Sequence, residues 1–142
     1  INETNPTIVH FSGHGADTGE LALLNPDGST KLVTKEAISM AMSTASDTIR
    51  LVVFNACFSE IQAQNVVGHI ESAIGMSTSI GDDAACVFAA QLYSSIGFGR
   101  SLQTSFKQAV AALMLEGIPE DDTPRLYVKD SIDPNDIILV RP

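Results

Sequence analysis

No apolar run in the 142 residues approaches the roughly 20 needed to cross a bilayer, and no basic-then-apolar leader opens the chain. The expectation is a soluble protein with no membrane partner. Cysteine is scarce. Cys57 and Cys86 are too few to staple a fold of this size, so a reducing, cytoplasmic setting fits better than a disulfide scaffold. Basic residues are outnumbered 8 to 17 by acidic ones, and the net charge of −9 argues against direct contact with nucleic acid. No internal repeat or low-complexity linker divides the chain. His10 and His14 are four apart, but on a strand and with no Glu between them, which excludes a zinc-protease helix. No metal or cofactor is expected. Ser12 stands in no G-x-S-x-G elbow, so a serine hydrolase is not indicated.

What the chain does have is 44% hydrophobic content, enough for a core in a single domain spanning 1–142. The run LVVFNAC at residues 51–57 reads as a fully buried strand, with no alternation that would leave a face to water. Ser59 followed by Gln62 has the spacing of a capping box, so a helix is predicted over 59–67, ended by Gly68. Cys57 then lies where a parallel strand gives way to a helix, the crevice in which open α/β sheets place their chemistry. The positive end of a helix there would assist a nucleophile. A buried structural cysteine at a strand end is the competing reading.

A second segment has the same design. TIVHFSGHG at residues 7–15 is an apolar strand ending in Gly-His-Gly, and glycines beside His14 permit positive φ or close approach to a ligand. One strand delivers a His and the other a Cys, which is the requirement for a thiol and its base. Between them, residues 19–24 and 30–33 flank the turn NPDG and predict a hairpin beside the main sheet. Thr34 caps a predicted helix to about residue 45, with Ala37, Ile38, Met40 and Ala41 facing inward.

Beyond the Cys57 helix, residues 70–76 read as a strand. A helix follows from Asp82 or Asp83 to about residue 96, burying Ala85, Phe88, Ala89, Leu92 and Ile96. Cys86 is read as part of that helix core. Ser101 caps a further helix, lined by Phe106, Val110, Leu113 and Met114 and closed by Gly117. Residues 126–128 and 137–140 are expected as short strands around an acidic loop, and Glu120 to Asp122 as a solvated face. The order of elements is α/β.

The motifs HFSGHG, VVFNACFS, IGMSTSIGD, FAAQLY and GRS occur here in the order and spacing of CHAT domains, which the chain resembles over residues 7–128. These are caspase-like cysteine peptidase domains of the clan of caspases, metacaspases and separase. The resemblance implies a caspase-like three-layer α/β/α sandwich with a mostly parallel sheet. It implies that His14 and Cys57 form a catalytic dyad, with the N–H groups of Gly15 and Cys57 as the oxyanion hole. The family fold has two strands and two helices ahead of the His strand. Their lack here leads to the expectation of an N-terminally incomplete domain: a fragment, a processed subunit, or a domain whose sheet a second chain completes.

For specificity, metacaspases carry an Asp two residues before the nucleophile, where this chain has neutral Asn55. Asp82 and Asp83 lie where separase-like relatives carry pocket acids, so with Asn55 they are the substrate-binding candidates, for a basic residue before the scissile bond. Asp82 equally suits a helix cap. Arg100 could instead receive an acidic group, or be a solvated loop residue. CHAT domains usually sit in longer bacterial chains beside sensor or repeat modules in signalling and defence, which implies a protein or peptide substrate and a regulatory partner. The alternative is an inactive caspase-like assembly module, and the presence of both His14 and Cys57 speaks against it.

Overall fold

In β5 (Leu51–Asn55) every residue is buried; the apolar Leu51 to Phe54 leave no face for water, and Asn55 at the strand's end is the one polar side chain. The strand is correspondingly central. It pairs in parallel with β1 (Ile8–Ser12) on one side and β6 (Ser72–Met76) on the other. β7 (Pro124–Val128) adds antiparallel to β6, so the sheet order is β1-β5-β6-β7. The computed structural model of the chain describes residues 4–18, 20–45 and 47–142. Part of the lead (Ile1 to Glu3), Gly19 at the head of the expected hairpin and Ser46 in the loop before β5 lie outside the described residues.

Alternation along the strands sends side chains to two separate cores. Leu51, Val53, Ile74 and Met76 pack under α3 (Asp82–Gly97) and α4 (Leu102–Leu115). Val52, Phe54 and Ala73 pack under α1 (Lys35–Ser43) and α2 (Glu60–Val66). The result is the three-layer α/β/α arrangement with a mostly parallel sheet. Phe11 stacks on Phe54 with ring centroids 5.2 Å apart, tying β1 to β5, a contact of about 0.5–1.5 kcal/mol beyond area burial.

A second, antiparallel sheet stands beside the first. It consists of β2 (His14–Gly15), β3 (Leu21–Leu24) and β4 (Thr30–Val33), in the order β2-β3-β4. The NPDG turn joins β3 to β4, with Gly28 at φ 87°, where a side chain would be strained. Local end signals also hold. The Thr34 hydroxyl accepts the Ala37 N–H at 3.1 Å, and that of Ser101 accepts the Thr104 N–H at 3.1 Å. Gly117 (φ 70°) closes α4 in a Schellman arrangement, with the Ile118 N–H on the Leu113 carbonyl and the Gly117 N–H on Met114.

Several expectations change. Ser59 does not form a capping box with Gln62. Its buried hydroxyl lies 2.7 Å from the Ala56 carbonyl and 2.9 Å from that of Phe54, and accepts the Met76 N–H at 3.0 Å. Strand-end groups that would otherwise lack partners outcompete the local cap. α1 buries Ile38 and Met42, while Ala37, Met40 and Ala41 are exposed, because only one narrow stripe of the helix meets α2. Met114 is likewise exposed on α4, where Leu102, Ser105, Ala109 and Leu113 make the buried face. Residues 137–140 form no strand. Ile137 follows a 3-10 turn at Pro134–Asp136 and is buried, its carbonyl accepting the Leu102 N–H at 2.8 Å. Cys86 is exposed rather than in the helix core.

Candidate active site

The end of β5 is bent sharply. Phe58, directly after Cys57, has φ 56°, an unfavourable conformation for a bulky residue that costs about 1–3 kcal/mol. It is held by the contacts around it: the Phe58 N–H donates to the Thr78 carbonyl at 3.1 Å, and Ser59 pins the next residue to both strands. The bend breaks the run of buried residues, so Cys57 emerges half-buried at the carboxyl end of the sheet.

His14 reaches the same place by a different route. β1 ends at Ser12, and His14 and Gly15 leave the main sheet to pair with Ala22 and Leu21 of β3. Neither flanking glycine has positive φ. Their lack of a side chain serves close approach instead. A Cβ on Gly13 would lie 2.8 Å from the Ala22 carbonyl oxygen, and one on Gly15 only 1.7 Å from that of Cys57. The backbones of Gly15 and Cys57 are thus in direct contact.

The two segments open onto one cavity of about 460 Å³. His10, Ser12 and His14 line one side, Asn55 and Cys57 the floor, and Ile80 with Asp82, Ala85, Cys86 and Ala89 of α3 the other side. Ala85 and Ala89, expected in the core, are half-buried and make room here. The Cys57 thiol engages the loop before α3: its Sγ lies 3.3 Å from the Ile80 nitrogen, which donates, and 3.6 Å from the Ile80 carbonyl, which accepts.

Asn55 is buried, and its Nδ2 donates to the Ala85 carbonyl at 3.1 Å. Its Oδ1 has no partner. A carbonyl faces the amide nitrogen, so the orphan atom is an acceptor, and leaving it unpaired costs about 1–3 kcal/mol. Asp82 is exposed on the cavity wall, with no cation paired to it among the described residues. The N-cap of α3 is Gly81, so Asp82 is a first-turn residue and not a side-chain cap. Asp83 does not line the cavity. Arg100 stands at the opposite end of α3, some 24 Å along a helix of 16 residues, and cannot serve this cavity.

Tyr93 does not line the cavity but touches His10, which does, a contact the sequence did not reveal. Its hydroxyl lies 2.5 Å from Nδ1 of His10. Burial pushes the Tyr93 phenol up to about 12 and lowers His10 below its ordinary value. A protonated phenol therefore donates to a neutral imidazole, leaving the ring proton on Nε2. Positions 82, 85, 86, 89 and 93 share one face of a helix, which is the signal that could have placed Tyr93 at the site.

No family model matches the chain, and no curated protein sequence does. Among solved structures it is similar to the X-ray structure of a secreted C11 cysteine protease from Bacteroides thetaiotaomicron, in complex with an irreversible peptide inhibitor. The TM-score is 0.55 at 17% identity, over 85% of this chain and 39% of that one. The chain spans about two fifths of that protein's length. At this identity the likeness shows the fold, a caspase-like α/β sandwich of the kind a cysteine protease uses.

Proposed function

We propose that the chain is the catalytic part of a cysteine endopeptidase of the CHAT type. The observation that carries this reading is the meeting of His14 and Cys57 on one cavity, with the Gly15 backbone against that of Cys57, in a fold similar to that of a cysteine protease. Cys57 gives its thiol proton to His14, the sulfur attacks a peptide carbonyl carbon, and the carbonyl oxygen becomes an oxyanion. The N–H groups of Gly15 and Cys57 receive it, at about 3 kcal/mol per donor. The C–N bond then breaks, and the leaving amine takes its proton from the His14 imidazolium. Water, deprotonated by His14, attacks the resulting thioester and releases the acid and the thiol.

Asp82 is an exposed acceptor on the cavity wall, and Asn55 lines the same cavity with its orphan Oδ1 buried beneath the surface. A lysine or arginine side chain before the scissile bond would pair with Asp82, and an acidic one would be repelled by it. In the wider setting, we take the chain to be the effector part of a larger, regulated bacterial signalling or defence protein working in the cytoplasm. Both cysteines are free, as a reducing compartment would have them. Among the described residues nothing pairs with the outer edge of β1, which a strand from a regulatory segment or second chain would satisfy.

The test is peptide-library cleavage beside thiol-probe labelling, on wild type, Cys57→Ala and Asp82→Asn. Wild type should label at Cys57 and cleave after Lys or Arg, Cys57→Ala should do neither, and Asp82→Asn should lose the basic preference. Cleavage that persists in Cys57→Ala, with Cys86 intact, overturns the assignment.

A further inference from the structure

We propose that Glu120 is a positioning residue for Cys57, acting through the loop at residues 77–81. This rests on the reading of Cys57 as the nucleophile. The loop joins β6 to α3 and forms a wall of the cavity, and it is gripped from two sides. On the inner side the Thr78 carbonyl accepts the Phe58 N–H, and both backbone groups of Ile80 engage the Cys57 sulfur. On the outer side the Ser77 N–H and hydroxyl reach the Thr123 carbonyl at 2.9 and 3.1 Å, and Oε1 of Glu120 accepts the Gly81 N–H at 3.0 Å.

Among these outer contacts the Glu120 carboxylate is the one that a side-chain substitution removes from the acceptor side. Gly81 is the N-cap of α3 and has no side chain with which to cap it. An acceptor from 39 residues away takes that place, and a carboxylate suits the positive end of a helix. Gly81 stands between Ile80, which touches the sulfur, and Asp82, which lines the cavity. Fixing its N–H therefore fixes both neighbours. Glu120 is itself held by the turn that closes α4, its N–H on the Ile118 carbonyl and its own carbonyl accepting from Thr123. Asp121 and Asp122 beside it make no such contact; the Asp122 backbone carbonyl accepts from the Arg125 guanidinium instead.

The experiment is native alkylation by iodoacetamide, followed by mass spectrometry at Cys57 and Cys86 separately, with thermal unfolding in parallel. Releasing the loop withdraws the Ile80 N–H from the sulfur. Glu120→Ala should slow alkylation of Cys57 about tenfold, the weight of one charge-assisted hydrogen bond. Exposed Cys86 should react as before. Glu120→Gln keeps an acceptor oxygen and should recover most of the rate; if the alanine variant does not fold, the glutamine variant alone should show a smaller slowing confined to Cys57. An unchanged Cys57 rate overturns the proposal, as does a slowing shared by both cysteines. Equal slowing in both variants with equal loss of thermal stability overturns it too. Iodoacetamide needs no peptidase activity. The Cys57 effect in a protein that cleaves no peptide refutes the function proposed above and leaves this inference standing, and cleavage without the effect does the reverse.

Discussion

The two halves of the candidate dyad are held in opposite ways. Cys57 follows a strand whose five residues are all buried and which is paired on both sides. His14 is exposed on a two-residue strand, paired only with β3 of a small surface sheet. The core fixes the proposed nucleophile, whereas the proposed base depends on a hairpin and on the direct contact of Gly15 with Cys57. The difference suits the proposed chemistry: a base that exchanges protons with substrate and water must stay accessible and cannot be sealed in the core.

The comparison is sharpened most by His14→Ala. Activity should fall about 10²–10⁴-fold, the range for a general base, with the melting temperature unchanged because His14 is exposed. Steady-state kinetics beside thermal unfolding reads both, and a melting temperature that falls with activity would mean the base arm bears structural weight. On the nucleophile arm the reverse is expected. Phe54→Ala should cost about 3–5 kcal/mol, whereas Leu24→Ala in the hairpin, 77% exposed, should stay within about 0.5 kcal/mol. Denaturant midpoints compare them directly.

Next in size is Gly15→Ala. The added methyl would meet the Cys57 carbonyl oxygen, so one segment must move, and a shift of that kind costs about 10²-fold in rate. Gly28→Ala, in the same small sheet but with open space around it, should cost stability of about 1 kcal/mol through its positive φ and leave the rate alone. Equal rate losses in the two variants would show that hairpin integrity, not the Gly15 contact, places the base.

The smallest effect concerns His10 and Tyr93, which link β1 to α3. Burial lowers His10 from its ordinary 6.5, so the unfolded chain takes up the proton first. Stability is therefore complete above pH 6.5 and declines as pH falls below it. Tyr93 is raised from 10.0 to about 12, so the unfolded chain loses its proton first, and stability falls as pH rises from 10 toward 12. Melting temperatures against pH should show both slopes, with His10→Phe reducing the acid one and Tyr93→Phe reducing the alkaline one. Tyr127, likewise raised to about 12, also contributes to the alkaline slope. An acid slope unaltered in His10→Phe would place its cause elsewhere, among the carboxylates.

What could be read from the residues alone was what neighbours in the chain decide. Leu51 to Phe54 had to be buried, Thr34 and Ser101 capped the helices that follow them, Gly28 and Gly117 took the positive φ that their turns need, and Cys57 came just beyond a strand end. Each depends on side chains within a few residues, so the local pattern is sufficient. Tertiary structure decided the rest. His14 left β1 for the second sheet. The Ser59 hydroxyl chose among acceptors and a donor on two strands, one of them 17 residues away, and so abandoned the cap that its spacing suggested. Phe58 took positive φ, which no propensity favours, because contacts on both sides over-determine it. Asp82 and Asp83 look alike in sequence, yet only Asp82 lines the cavity, since successive helix residues lie about 100° apart and the wall admits one direction. A polar group's partner is set by which elements the core brings together, and that is not a local property of the chain.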